Sequence, residues 1–436
     1  MLIKLKYFYK KLISTFWFLP CSILLANILM AILFIYIDRE YPLKPEGILN
    51  LIFSENPESG RNVLSLISGS MAGIAGTVFS ITLVVLQLAT SQLGPRLLKN
   101  FMYQRINQVV LGQYLGLYMY CIIVINAIRD GSEFSFIPNQ SILVAIIFTI
   151  MNVFLLILYI HSVSTNIQPS KVIDRLGKNL KLKSDQLYPD LNSGIEESFT
   201  KTFNEGLYYT QSIKTLKHGY IQYFDLEALV KFSEANNCII KILEKPGAYT
   251  IKHQAVLEVL SKTEMLLSQD KIETLNSCYE VFRSKSLFQD TEFAILQIVE
   301  IASRALSPGI NDPYTAINCI DQLTASLSVL ANADVPQRFV TNNPDELRLI
   351  VPRTDFKGFL ETAFNDILQF GANTPAIIYR LMASIDKLIK SDDSKLHHTV
   401  LKEYARRILQ TAEHHFKLKQ DLNKLQVMYK NLNFYI

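Results

Sequence analysis

Hydrophobic residues are concentrated near the start of the chain, in four stretches that contain no Asp, Glu, Lys or Arg. The stretches cover residues 17–37, 63–90, 109–128 and 142–160. A helix needs about 20 apolar residues to cross the hydrocarbon core of a bilayer, and each stretch is close to that length or longer. The pattern predicts an α-helical integral membrane domain of four spans within residues 1–165.

The distribution of Lys and Arg predicts how these spans are oriented. The segment before the first span, the loop 91–108 and the segment after the fourth span are basic, whereas the loop 38–62 holds five acidic and three basic residues. Because Lys and Arg are retained on the cytoplasmic side, we expect both termini in the cytoplasm. The first stretch is longer than a signal-peptide core and no Ala-x-Ala site follows it, so we expect it to be an uncleaved span.

Residues 166–436 have the mixed composition of a soluble domain, and the orientation predicts that it is cytoplasmic. We expect a mainly helical α+β domain, with a small β-module at about 219–260 and helices over 290–436. The segment 196–215 is predicted to be helical. Further predictions are helices at 356–370, 375–390, 395–417 and 419–431, and a short strand at 347–351.

The second span carries a stripe of small and polar residues at steps of three and four positions. Its members are Ser65, Gly69, Ala72, Gly76, Ser80 and Gln87. Small residues allow close helix packing in lipid, and hydroxyl and amide groups can also line an aqueous pore. Both interpretations stay open, and both are compatible with a homo-oligomer.

The loop after the second span is basic, with Pro95 followed by Arg96 and Lys99. These two side chains are predicted at the level of the cytoplasmic headgroups. They would anchor the topology, bind anionic lipid or line a vestibule. In the other spans, Asn27, Asn126 and Asn152 are the deepest polar residues, and we expect them to bond between helices.

The densest polar motif is Arg304-Ala-Leu-Ser-Pro-Gly-Ile-Asn-Asp-Pro-Tyr-Thr-Ala316. It predicts a tight helix–loop–helix corner in which Asn311 or Asp312 caps a helix that begins at Pro313. Its candidate site residues are Arg304, Ser307, Gly309, Asn311 and Asp312. The corner is either purely structural or a contact for a partner or a small anion at a helix N-terminus.

Composition narrows the classes of function. The chain is 49% hydrophobic and 19% charged, with a formal net charge of +4, so we expect no nucleic-acid partner. The five cysteines have no metal-binding spacing, and the doublets His397-His398 and His414-His415 are predicted to lie on solvated helix faces. We expect no metal, no cofactor and no enzymatic activity. The absence of charge within the spans also disfavours a proton-coupled transporter.

Four passages resemble the bacterial predicted membrane proteins of the domain-of-unknown-function family 2254. They are 304–316, 79–96, 219–229 and 289–293. One departure is visible, because Pro246-Gly247 is not followed by the second Gly-x-Pro turn that is usual in the family. The resemblance implies an inner-membrane protein with a cytoplasmic domain, and it implies no established activity or catalytic residue.

Two hypotheses follow. The first is an oligomeric, channel-like pore in a lipid bilayer, with the second span at the axis and the cytoplasmic domain as gate or vestibule. The second is a non-conducting membrane scaffold or sensor that binds a partner or small anion at the 304–316 corner. The ion or ligand is left open.

Overall fold

The computed structural model describes most of the chain, with gaps. The described residues are 15–42, 56–94, 105–129, 136–166, 168–187, 209–264, 266–286, 288–332, 339–340, 347–392 and 395–432. The chain divides into two compact units, residues 1–169 and 170–436. We call these the N-terminal and C-terminal units.

The described residues of the N-terminal unit form four helices, each long and apolar enough to cross a membrane. They are α1 (Phe18–Glu40), α2 (Pro57–Leu93), α3 (Arg105–Ala127) and α4 (Asn139–Asn166). Every predicted span lies within or almost within one of these helices. The helices extend beyond the charge-free stretches because polar residues at their ends are also helical. In α2, for example, the helix begins six residues before the apolar stretch, where the Asn56 side chain caps it by accepting a hydrogen bond from Glu58 N.

Helix α3 is the centre of this unit and contacts the other three helices. Two glycines bring α1 close to it. A Cβ on Gly112 would lie 2.8 Å from Pro20 Cα, and a Cβ on Gly116 would lie 2.6 Å from Asn27 Nδ2. The unit therefore already contains one small-xxx-small contact, and that contact is filled by its own first helix.

The C-terminal unit begins with α5 (Pro169–Leu187) and continues into a β-module and a helical array. The module has a five-stranded sheet in the order β1-β5-β3-β8-β7 and a three-stranded sheet in the order β4-β2-β6. Its strands are β1 (Tyr209–Lys214), β2 (Gly219–Phe224), β3 (Ile239–Ile242), β4 (Tyr249–Thr250), β5 (Ala255–Ser261), β6 (Tyr279–Phe282), β7 (Phe339–Val340) and β8 (Leu349–Ile350). Its helices are α6 (Leu226–Ala235) and α7 (Gln269–Asn276).

The helical array follows the module. It consists of α8 (Thr291–Ala305), α9 (Pro313–Asn332), α10 (Phe356–Phe370), α11 (Pro375–Ser391), α12 (His398–His415) and α13 (Lys419–Lys430). Strand β8 lies between α9 and α10 in the sequence, but it pairs in parallel with β3 of the module, with Ile240 opposite Leu349. The mainly helical α+β prediction is confirmed, including the strand predicted at 347–351.

Two predictions for this unit were wrong. The segment 209–214 is a strand and not part of a helix, because it pairs antiparallel with β5 over its whole length. The β-module is also wider than 219–260, since β1 precedes that range and β6 and β8 follow it. In both cases the deciding partner is distant in sequence, so local residue patterns carry no record of it.

Candidate functional site

The stripe predicted on the second span lies on the outward side of α2. All six of its residues are exposed, and the six are Ser65, Gly69, Ala72, Gly76, Ser80 and Gln87. At about 100° per residue they fall within an arc of roughly 80°. The buried side of α2 is formed by residues such as Leu64, Met71 and Val78. The stripe therefore takes no part in packing among the described residues of the chain.

The outward faces of the neighbouring helices have a different chemistry. Helix α1 exposes bulky side chains such as Leu29 and Tyr36, and α4 exposes Ile150, Phe154 and Leu158, each more than half exposed. Such faces suit lipid tails. The outward face of α2 mixes exposed apolar residues with glycine, serine, threonine and glutamine, which give little apolar bulk for lipid.

Three glycines in the middle of α2 border open space. A Cβ added to Gly69, Gly73 or Gly76 would meet nothing within 4 Å. This contrasts with Gly112 and Gly116 of α3, whose space is filled by α1. The described spans thus include one small-residue helix face that is occupied, on α3, and one that is open, on α2.

Polar groups inside the bundle bond between helices, as predicted for Asn27. Its Nδ2 donates to Gln113 Oε1 over 3.2 Å. The Tyr114 hydroxyl donates to the Asn152 carbonyl oxygen over 2.7 Å, while Asn152 Nδ2 reaches only the Met71 sulfur, at 3.5 Å. Asn126, in contrast, is exposed on α3.

The carboxylate of Asp38 connects α1 to α4 by hydrogen bonds, a contact that was not predicted from the sequence. Asp38 Oδ1 accepts from Gln140 N at 2.9 Å, and Oδ2 accepts from Ser141 N at 2.9 Å and Ser141 Oγ at 2.6 Å. Asp38 is buried and satisfies amides at the start of α4 that have no partner within that helix. An acid at the end of an apolar span is a signal for a cap, but its target lies about one hundred residues later.

The two basic residues of the following loop, Arg96 and Lys99, lie outside the described residues. Their predicted role at the headgroup level stays a prediction. Gly94, which ends α2 with a φ of 103°, is the last described residue before them.

The 304–316 corner connects α8 to α9 by local hydrogen bonds. Ser307 Oγ donates to the Arg304 carbonyl oxygen over 2.7 Å, and Asp312 N donates to the Ala305 carbonyl oxygen over 2.8 Å. Asn311 takes a φ of 50°, which asparagine tolerates better than most residues. Asp312, and not Asn311, is the cap: its Oδ1 accepts from Thr315 N at 3.1 Å.

The charge distribution at the corner favours binding of a protein partner through exposed side chains over binding of an anion at the helix N-terminus. The hydrogen bond from the Thr315 hydroxyl lowers the pKa of Asp312, so a carboxylate already occupies the amide groups at the start of α9. At the surface of the corner Gly309 and Asn311 are exposed, Ile310 is 44% exposed and Tyr314 is 82% exposed. The corner therefore presents two exposed side chains with apolar parts, Ile310 and Tyr314.

The β-module meets the helical array at the start of α8, where two of the resembling passages contact each other. The side chain of Gln289 accepts from Phe224 N at 3.0 Å and donates to the Phe224 carbonyl oxygen over 3.1 Å. It thereby imitates the pairing of a neighbouring strand. Next to it, Asp290 Oδ1 accepts from Phe293 N at 2.9 Å and caps α8.

The Asp290 carboxylate lies so close to the backbone of Gly247 that a side chain at position 247 would collide with it. A Cβ on Gly247 would lie 1.8 Å from Asp290 Oδ2, and Gly247 takes a φ of 89°. Burial raises the pKa of Asp290. Beside it, Lys245 and Thr354 both bond Glu292, so the turn before β4, the start of α8 and the segment before α10 are tied together.

The described residues contain no group of three or more His, Cys, Asp or Glu side chains placed to hold a metal ion. The two histidine doublets differ. His414 and His415 are exposed, as predicted, whereas His398 is buried and His397 stacks on the Phe356 ring at 4.2 Å. The prediction of a solvated face was therefore wrong for the first doublet.

Comparison with known proteins agrees with this architecture. The family described as "Predicted membrane protein (DUF2254)" matches residues 13–387. The chain is 27% identical over 340 residues to the uncharacterized proteins Rv1290c of Mycobacterium tuberculosis (strain H37Rv) and Mb1321c of Mycobacterium bovis. In each case the match covers 76% of this chain and 64% of the relative, so the chain spans less than two thirds of the length of these relatives. No solved structure matches the chain. Since the match covers most of the sequence, the chain belongs to the DUF2254 family of predicted membrane proteins.

Proposed function

We propose that the chain assembles into an oligomeric, channel-like pore in the bacterial inner membrane. Copies of α2 surround the axis through the stripe Ser65–Gln87, and the C-terminal unit is a cytoplasmic gate or vestibule. The observation that carries the proposal is the exposure of every member of the stripe, together with the open space beside Gly69 and Gly76.

The physical argument compares what can cover this face. Lipid tails pack well against the bulky outward side chains of α1 and α4. The stripe on α2 offers them Leu83, 49% exposed, among small and polar side chains, and it exposes hydroxyl and amide groups to hydrocarbon. The α2 helix of a second copy can approach this stripe closely, just as α1 approaches Gly112 and Gly116 of α3 within the chain. Where the copies separate around an axis, Ser65, Ser80 and Gln87 would meet water.

The length and charge of α2 also support the proposal. Its 37 residues extend about 55 Å at 1.5 Å per residue, more than the roughly 30 Å hydrocarbon core. Residues 62–95 carry no Asp, Glu, Lys or Arg. A pore of this composition would select by width and by hydroxyl and amide groups more than by charge. The basic segments flanking the spans support cytoplasmic termini.

The alternative is a non-conducting scaffold or sensor that contacts a partner at the corner. The exposure of Ile310 and Tyr314 favours a protein partner there, because an anion would meet the Asp312 carboxylate. In this alternative, α2 still packs against a second copy but encloses no water. We assign the chain no catalytic role in either case.

The test is reconstitution of the purified full-length chain into liposomes, with ion flux measured under voltage and under membrane tension. The number of copies per particle is measured in detergent by native mass spectrometry. Three variants separate the interpretations: Gly76→Leu and Ala72→Leu on the stripe, and Ala26→Leu, the same change on the exposed face of α1.

We expect the two stripe variants to reduce both assembly and flux and Ala26→Leu to leave both unchanged. An oligomer that depends on the stripe but carries no flux would favour the scaffold. A monomer without flux, or equal effects of Ala72→Leu and Ala26→Leu, would overturn the proposal.

A further inference from the structure

Helix α5, the first helix of the C-terminal unit, has two contrasting faces. Val172, Ile173 and Leu176 are buried, and on the same side a Cβ on Gly177 would lie 2.5 Å from Gln322 Oε1 of α9. The other side exposes Lys171, Arg175 and Lys178. Since these three residues are spaced i, i+4 and i+7, they form one straight basic row along the helix.

The row keeps a net positive charge. Asp174 pairs with Lys178, Nζ to Oδ2 at 2.9 Å, and is the acidic residue among positions 169–178. In formal charge, the segment 169–178 holds three basic residues and one acidic residue.

The covalent chain holds this row close to the bilayer. Helix α4 has 28 residues and is about 42 Å long, so its end at Asn166 reaches past a hydrocarbon core of roughly 30 Å. Lys171 follows five residues later, at most about 18 Å along an extended chain. This short tether keeps the start of the row within reach of the headgroup layer.

We propose that the row Lys171, Arg175 and Lys178 binds the anionic phospholipid headgroups of the bilayer that the first four helices cross. Ammonium and guanidinium groups bond phosphate oxygens directly, and a basic cluster next to a span is attracted to anionic lipid. The inference holds whether or not the chain conducts ions.

The experiment uses the full-length chain in nanodiscs of phosphatidylcholine, with and without phosphatidylglycerol. Retained lipid is counted by native mass spectrometry. The test variant is Lys171→Gln/Arg175→Gln/Lys178→Gln. The control, Lys387→Gln/Lys402→Gln/Arg406→Gln, removes the same charge from other exposed positions of the C-terminal unit.

Each basic residue near an anionic surface contributes about a fivefold gain in association. The test variant removes three basic residues, so we expect it to lose on the order of 100-fold in its preference for phosphatidylglycerol, and we expect the control to keep that preference. A second readout is an environment-sensitive fluorophore on Ser170→Cys, in a Cys21→Ser background because the other cysteines are buried. Its emission maximum should shift to the blue when phosphatidylglycerol is present, and only while the basic row is intact.

Three results would overturn the proposal. The first is an equal loss in the test and control variants. The second is a fluorophore signal that does not respond to phosphatidylglycerol in the unsubstituted row. The third is displacement of the lipid by inorganic phosphate, which would assign the row to a soluble anion. An unchanged unfolding midpoint of the test variant shows that the comparison is made on folded protein.

Discussion

Gly247 is the position at which a single methyl group should test the junction between the β-module and the helical array. Its N–H donates to the Ile221 carbonyl oxygen over 2.8 Å, and its φ of 89° is unfavourable for any residue with a Cβ. In Gly247→Ala, the new methyl would lie 1.8 Å from Asp290 Oδ2. Either the turn or the Asp290 carboxylate must move.

The magnitude has two parts. A left-handed backbone costs an alanine about 1–2 kcal/mol. Moving Asp290 removes its cap on Phe293 N, which is worth about 1 kcal/mol. We therefore expect Gly247→Ala to destabilise the C-terminal unit by about 2–3 kcal/mol. The matched control is Gly309→Ala, where a Cβ meets nothing within 4 Å, and its effect should stay within about 0.5 kcal/mol.

The assay is urea unfolding of the purified chain, with hydrogen exchange of peptides from β2 and α8 to locate the change. In an Asp290→Ala background the methyl has no carboxylate to displace, so Gly247→Ala should then cost only the backbone part. The reasoning is refuted if Gly247→Ala and Gly309→Ala have equal effects, or if the effect of Gly247→Ala is unchanged when Asp290 is absent.

Two further predictions concern other charged and titrating groups. Asp38→Ala leaves the first amides of α4 without their acceptor, so the free energy of unfolding in detergent should fall by about 2–3 kcal/mol. The control, Glu40→Ala at an exposed position, should change it little. Equal effects of the two variants would argue against the cap. Burial lowers the pKa of His397 below its ordinary 6.5, so the unfolded chain binds this proton at a higher pH than the folded chain does. Stability should fall as the pH drops below 6.5 toward the folded pKa. His397→Gln should flatten that dependence and the exposed His414→Gln should not, as measured by unfolding midpoints over a pH series; an unchanged slope in His397→Gln would contradict this.

Local patterns predicted most of the helices correctly, because burial on one face leaves a repeat of three to four residues in the sequence. The helix predicted at 356–370 has those bounds in the structure. The cap at Asp312 could also be predicted, since a cap and its amides lie within three residues of each other.

Features that depend on distant partners could not be predicted in this way. Strand β1 is fixed by β5, with Tyr209 opposite Ser261, and Gln289 reads as an ordinary loop residue until Phe224 is placed beside it. The stripe on α2 lies between these cases. Its spacing was visible in the sequence, but only the fold shows that no helix of the described chain covers Gly69 and Gly76.

The central claim is that the small-residue face of α2 meets a second copy of the chain. It can be tested by disulfide cross-linking in native membranes, in a Cys21→Ser background. Ala72→Cys places a thiol on the stripe, and Ala26→Cys places one on the exposed face of α1. The account predicts a cross-linked dimer with Ala72→Cys and none with Ala26→Cys. Equal cross-linking at both positions, or none at Ala72→Cys, would contradict it.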